Sequence, residues 1–145
     1  MANTTFSGPV ISTNGFVGNL AGSGSITHAT TAAINATATA TAAEVATGYI
    51  TSTSAAATTI TLPSGTALGT QLRAVRGTVF DLYIDNTAGA NAVTVAAATN
   101  AVLSSAGVDS ATSFGDLTVA SGATGLARFT LMFSSATAYV FTRTA

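Results

Sequence analysis

Short runs of alternating apolar and polar residues, divided by turn residues, constrain the fold of this 145-residue chain more than any other feature. The clearest run is Thr78–Asn86. Its apolar residues Phe80, Leu82 and Ile84 recur at period 2 and therefore share one face of a strand. Many short strands separated by turns are typical of a β-sandwich or a jelly roll. Further strands are predicted at Tyr49–Thr53, Thr58–Leu62, Ala92–Ala97, Val102–Leu103, Leu117–Val119, Ala127–Phe133 and Ala138–Thr144.

Two of these strands are separated only by a short turn. Turn residues 86–91 follow Thr78–Asn86 and precede Ala92–Ala97. This arrangement predicts a β-hairpin, with Val93 and Val95 on its inner face. The fold class that we predict is mainly all-β, a jelly-roll-like antiparallel β-sandwich with one or two short helices. Its core is expected to contain Phe80, Phe129, Phe133 and Phe141.

Capping residues predict the two short helices. Thr41 is followed three residues later by Glu44, which is the spacing of a capping box. Gly48 suits the position just after the end of that helix, where the backbone turns left-handed. A second helix is predicted from Ser64 to Arg73, with Ser64 as its N-cap.

The start of the chain differs from the rest. Residues Met1–Gly24 contain several glycines and few large apolar side chains. Such a segment cannot offset the cost of ordering its backbone, about 1–2 kcal/mol per residue, so we predict an extended arm that a partner surface orders. Residues 25–145 are expected to form a single β-sandwich domain. No strong internal repeat occurs at the periods typical of solenoids.

Charged residues are so scarce that several classes of protein are excluded. The chain has four Arg, no Lys and five acidic residues, so that charged residues make up 6% and the net charge is −1. Four scattered cations are too few for a nucleic-acid binder. The absence of cysteine excludes disulfides and thiolate zinc sites. No apolar run approaches the roughly 20 residues of a membrane span, and no secretory signal peptide is predicted.

The residues that could carry chemistry are few and lack partners. His28 is the single histidine, and we interpret it as exposed or interfacial. Asp81 and Asp85 share a strand face, but their backbones would stand about 13 Å apart, which does not suit a carboxylate pair or one shared calcium ion. Asp109 and Asp116 are interpreted as turn residues. We therefore predict no catalytic, metal-binding or cofactor-binding residues, and we predict that the chain is not an enzyme.

Four other residues have two readings each that the sequence leaves open. Arg73 and Arg76 are the one close basic pair. They either complement the dipole at the end of the second helix or act as interface anchors for a partner carboxylate. Tyr83 and Tyr139 belong either to the core or to a ligand-binding face. A charge-poor surface of Ala, Thr, Ser and Gly indicates a component of a packed assembly, because little electrostatic repulsion opposes large contacts.

Two parts of the chain resemble bacteriophage virion proteins. Thr4–Val10, together with Asn14–Phe16, resembles leaders of small virion proteins in tailed bacteriophages. Thr41–Ala57, Ile60–Pro63 and Phe80–Asn86 resemble small β-domains of capsid decoration (cement) and head-fibre proteins. The resemblance covers most of the chain from residue 4 to residue 143.

The resemblance implies a jelly-roll-like sandwich, often a homotrimer, bound to major capsid proteins on the exterior of the virion. Such a protein would be made in the cytoplasm of the host bacterium, and its partners would include neither nucleic acid nor membrane. Two alternatives stay open. One is a head-fibre or tail-fibre component that binds host glycans through exposed Tyr83 or Tyr139. The other is a self-assembling shell or fibre subunit, which the near-zero charge favours.

Overall fold

The structure, a computed structural model, describes residues 30–103 and 117–145, without the side chains of residues 102 and 103. The predicted arm Met1–Gly24 and its boundary at residue 25 lie outside the described residues. The helices are α1 (Ala42–Ala46) and α2 (Gly65–Leu72), with a 3₁₀ turn at Gly122–Thr124. The strands are β1 (Ala32–Ala33), β2 (Ala38–Thr39), β3 (Tyr49–Thr51), β4 (Thr58–Thr61), β5 (Val79–Asp85), β6 (Val93–Ala96), β7 (Ala101–Leu103), β8 (Thr118–Val119), β9 (Leu126–Ser135) and β10 (Ala138–Arg143).

The strands form two mixed sheets. The six-stranded sheet has the order β1-β3-β5-β9-β10-β7, and the four-stranded sheet has the order β2-β4-β6-β8. The mainly β class is thus confirmed. The expectation of antiparallel sheets is wrong, because β1, β3 and β5 run parallel, as do β2, β4 and β6, and β7 with β10. The antiparallel pairs within the described ranges are β5 with β9, β9 with β10, and β6 with β8.

The parallel strands arise because the chain winds in coils between the two sheets. We define coil 1 as residues 32–39 (β1 and β2), coil 2 as residues 49–61 (β3 and β4) and coil 3 as residues 79–96 (β5 and β6). Each coil places one strand in each sheet, directly beside the same strand of the coil before it. Ala32, Ile50 and Ile84 are therefore aligned across the six-stranded sheet.

The coil arrangement contradicts the predicted hairpin of Thr78–Asn86 with Ala92–Ala97. Strands β5 and β6 lie in different sheets, because the chain crosses from one sheet to the other at Asn86 instead of turning back. Val93 and Val95 do point inward and are buried, as predicted. Equivalent positions in successive coils are 18 and then 34 residues apart, so the structural repeat has no fixed period in the sequence.

Both helices lie on the return path from the four-stranded sheet to the six-stranded sheet, and both predictions are confirmed. At α1, Thr41 N–H donates to Glu44 Oε2 at 2.7 Å, and Glu44 N–H donates to Thr41 Oγ1 at 3.2 Å. Gly48 follows with a φ of 76°, which a glycine adopts without strain. At α2, Ser64 Oγ accepts from the N–H of Ala67 at 3.3 Å.

Glycines allow α2 to pack closely on the turn that joins β9 to β10. A Cβ atom at Gly65 would collide with the carbonyl oxygen of Thr137, and one at Gly69 would collide with the carbonyl oxygen of Ala136. This face of α2 therefore lies directly against backbone, and any larger residue would push the helix away.

A single apolar core lies between the two sheets and takes side chains from both. Phe129, Phe133 and Phe141 are almost completely buried, as predicted, whereas Phe80 is partly buried at the edge of the core. The rings of Phe133 and Tyr139 lie 5.4 Å apart, in a tilted arrangement that favours aromatic packing. The largest side chains thus lie on β9 and β10, at the far end of the stack from coil 1.

Candidate interaction surfaces

The residues singled out for chemistry do not come together in the structure. His28, Asp109 and Asp116 lie outside the described residues. Within residues 30–103 and 117–145, no group of three or more His, Cys, Asp or Glu residues is placed to hold a metal ion. In the same part of the chain, no helix is long and apolar enough to cross a membrane.

Asp81 and Asp85 lie on the outer face of β5, as the period predicted, and each accepts hydrogen bonds from its own chain. Thr130 Oγ1 donates to Asp81 Oδ1 at 2.6 Å. Asp85 Oδ1 accepts from both the N–H and the hydroxyl of Thr87, and Tyr49 donates its hydroxyl to Asp85 Oδ2 at 2.7 Å. The Thr87 bonds hold the pKa of Asp85 below its ordinary value, and the bond to Asp85 raises the pKa of Tyr49.

The two tyrosines of the glycan hypothesis have opposite environments. Tyr83 lies on the outer face of the six-stranded sheet, where its ring stacks against Tyr49 with a centroid separation of 6.2 Å. Tyr139 is buried and donates its hydroxyl to the carbonyl oxygen of Pro63 at 2.8 Å. Burial raises the pKa of Tyr139 well above its ordinary value. Tyr139 cannot contact a glycan in this structure, and that part of the hypothesis is wrong.

Coil 1 lies at one edge of both sheets, and β7 and β8 lie at the other edge. The inner edge of coil 1 is paired with coil 2, where Ile34 N–H donates to Thr51 O at 2.9 Å and Ala40 N–H donates to Thr61 O at 2.8 Å. Amide groups of successive strand residues point to opposite sides, so those of Ala33 point away from coil 2. Among the described residues, nothing pairs with that outer side of β1 or β2. Residues 30–41 contain no charge and no proline, the usual protection of an edge strand.

Asn86 holds the opposite end of the stack together. It is fully buried, and its Nδ2 atom donates to the carbonyl oxygens of Asn91 (2.9 Å), Val119 (3.3 Å) and Ala120 (2.9 Å). These bonds tie the corner of coil 3 to β8. The sequence pattern placed Asn86 in the turn of a hairpin, and this role was not predicted. The motif Asn-Thr-Ala-Gly suits either position, so no local signal distinguishes them.

The four arginines divide into two pairs. Arg128 Nε donates to Thr144 Oγ1 at 3.0 Å, and Arg143 Nη1 donates to the carbonyl oxygen of Thr118 at 2.8 Å, which links the two sheets. Arg73 and Arg76 are exposed, and no acceptor for either side chain lies among the described residues. Arg73 is the C-cap of α2 and has a φ of 51°.

The comparisons with known proteins add no relative. No family model, no curated protein and no solved structure matches the chain. The surfaces of the fold and the resemblance of its sequence are therefore the guides to its function.

Proposed function

We propose that this chain is a structural protein of a bacteriophage virion, a capsid decoration protein that binds the exterior of the head and stabilises contacts between major capsid proteins. The resemblance of Thr41–Ala57 and Phe80–Asn86 to decoration and head-fibre proteins supports the capsid. A surface with few charges supports an assembly component, because close contacts with neighbours cost little desolvation of ions.

The observation that carries the proposal is the outer edge of coil 1, here called the open edge, which is unpaired among the described residues. Two adjacent strand edges end at the same side of the molecule, and both are uncharged. An extended segment from a neighbouring subunit can continue both sheets there by strand addition, using backbone hydrogen bonds alone. A protein that binds only the assembled shell stabilises that shell by mass action, and many copies add avidity.

The finer parts of the proposal concern architecture and stoichiometry. A sandwich-like packing of the two sheets is supported by the core that they share. The jelly roll and the homotrimer stay predictions. Light scattering of the purified chain tests the homotrimer directly, since a monomeric mass at all concentrations would contradict it.

Electron microscopy tests the capsid location. An antibody fragment raised against the purified chain is added to virions from a culture that produces this chain. We expect the label on the exterior of the head. A label confined to the tail would favour the fibre alternative, and absence from purified virions would contradict the proposal.

Deletion of Met1–Gly24 tests the role proposed for the arm. We expect the truncated chain to keep its β-type circular dichroism spectrum and to lose occupancy on heads. A matched control replaces the same 24 residues by a Gly/Ser linker of equal length. Unchanged occupancy of both variants would reject a contribution of the arm to capsid binding.

A further inference from the structure

Three large apolar side chains are exposed together at one end of the six-stranded sheet. Val75 is 65% exposed, Val79 is 57% exposed and Met132 is 50% exposed. Val79 and Met132 face each other in register on β5 and β9, and Val140 of β10 extends the row. Leu126 is also 50% exposed, but it lies alone opposite Asp85, at the other end of β5 and β9. Exposed apolar side chains that lie next to one another mark an interaction site, whereas single ones do not.

The loop that carries Val75 is tied to its neighbours by backbone hydrogen bonds, although it lies on the surface. Ala74 is buried, and its N–H donates to the carbonyl oxygen of Gly69 at 2.8 Å. Gly77 N–H donates to the carbonyl oxygen of Phe133 at 2.8 Å, which fixes the loop to β9. A partner that binds this loop therefore loses little free energy in ordering it.

Both unpaired arginines belong to the same loop. Arg73 and Arg76 flank Val75, and neither guanidinium has an acceptor among the described residues, whereas Arg128 and Arg143 are bonded within the chain. In a chain with four cations, two of them stand beside the exposed apolar side chains. An apolar centre with arginine at its rim is the usual composition of a protein–protein hot spot.

We propose that Arg73, Val75, Arg76, Val79 and Met132, here called the loop surface, dock a different protein that presents carboxylates around an apolar centre. The two arginines of the loop surface favour a partner that presents carboxylates. In a second copy of this chain, the carboxylates among the described residues are Glu44, Asp81 and Asp85, and each already accepts a hydrogen bond from its own chain. In the setting of the proposed function, on which this assignment rests, the partner is a capsid protein, and the loop surface is a contact separate from the open edge of coil 1.

The test measures co-sedimentation of the purified full-length chain with heads from a phage that lacks its gene. We expect R73Q/R76Q to weaken binding about tenfold and V79T/M132Q to weaken it by a similar factor. Raising the salt concentration should weaken wild-type binding more than that of R73Q/R76Q, because the latter lacks the ionic contacts. Thermal unfolding of each variant checks that it folds.

A matched control separates a local contact from a general effect of charge. T94E/A97E adds the same change of −2 at two exposed positions, one on β6 and one just after it, and should bind like wild type. Wild-type binding together with undiminished binding of both loop-surface variants would overturn the loop surface alone. Failure of the wild-type chain to bind heads would overturn the proposed function and, with it, this docking assignment.

Discussion

Coil 1 and the opposite end of the stack are built by the same winding but from different side chains. Coil 1 buries the side chains of Ala32 and Ile34 only, and its outer edge is unpaired among the described residues. Beyond coil 3, β9 and β8 extend the two sheets with antiparallel pairs, and Phe129 and Leu131 fill the core of this end, here called the aromatic end. Its outermost strands are β7 and β8, so each sheet has a second edge there that is unpaired among the described residues. The difference in core filling indicates that the aromatic end provides more of the stability than coil 1 does.

Local stability should follow the same gradient. Regions with few buried apolar contacts open at lower free energy than the core does. Coil 1 is such a region, and some of its hydrogen bonds to coil 2 are made by exposed side chains instead of the backbone. Thr53 N–H, for example, donates to Asn35 Oδ1 at 2.8 Å. Substitutions at the two ends test whether the aromatic end carries most of the folding free energy.

The largest difference is expected between core truncations at the two ends. Phe129→Ala should lower the free energy of unfolding by about 3–5 kcal/mol, because it empties a fully enclosed site. Ile34→Ala in coil 1 should cost about 2 kcal/mol or less, since its neighbours at the open end can relax into the space. Urea denaturation of both variants measures the difference. Equal losses of unfolding free energy would show that coil 1 is packed as tightly as the aromatic end.

A second comparison uses the asparagines at the corners of the two ends. Asn86→Ala removes the donor for three buried or part-buried carbonyl oxygens and should cost about 2–3 kcal/mol. Asn35→Ala removes one exposed acceptor and should cost about 0.5–1 kcal/mol. Denaturation midpoints at equal slope are the measurement. Equal losses of stability at Asn35 and Asn86 would contradict a special role of Asn86 in tying the corner of coil 3 to β8.

The accuracy of the sequence predictions depended on how local each signal was. The helices α1 and α2 were predicted because Thr41 and Ser64 cap the segments that directly follow them. The faces of β5 were predicted because side-chain alternation needs no knowledge of the partner strand. The partner strand itself is a long-range choice, so proximity in sequence wrongly favoured a hairpin over the parallel coils.

The candidate surfaces show the same limit. Tyr139 shares its period with Phe141, which pointed to the core, yet its hydroxyl left a ligand-binding role open until the bond to Pro63 was seen. That Arg73 and Arg76 have no acceptor in the described part of the chain could not be deduced, because it depends on which groups the fold brings near them. Strands β1 and β2 were not assigned, because the alternation of Ala and Thr in residues 25–43 suggests a strand while the alanines favour a helix.

The pH dependence of stability should report on the outer face between coils 2 and 3. The pKa of Asp85 is lowered in the folded state, so its contribution is present above the ordinary value of 3.8 and is lost as the pH falls below it. The pKa of Tyr49 is raised, so its contribution is present below 10.0 and is lost as the pH rises through the folded pKa.

Tyr49→Phe removes the bond between these two groups and should flatten the alkaline loss of stability while leaving part of the acid loss, which Thr87 also supports. The effect should stay below about 1 kcal/mol because both groups are largely solvated. Thermal unfolding between pH 3 and pH 11 checks it, with Tyr83→Phe as the matched control. Identical pH profiles for wild type, Tyr49→Phe and Tyr83→Phe would show that the Tyr49–Asp85 bond does not contribute to the pH dependence of stability.

The smallest effect is expected in the corner of coil 2, where two buried serines differ in hydrogen bonding. Ser54 Oγ donates to the carbonyl oxygen of Ala56 at 2.9 Å, whereas Ser52 Oγ has no partner among the described residues. Ser54→Ala should cost about 1 kcal/mol, and Ser52→Ala should be neutral or stabilising by up to about 1 kcal/mol, because it removes a buried hydroxyl whose desolvation nothing offsets. Both serines lie in the middle coil, so a difference between them reflects hydrogen bonding and not distance from either end. A neutral or stabilising Ser52→Ala would therefore identify a hydroxyl that lacks a hydrogen bond. A loss at Ser52 equal to that at Ser54 would show that the Ser52 hydroxyl is hydrogen-bonded.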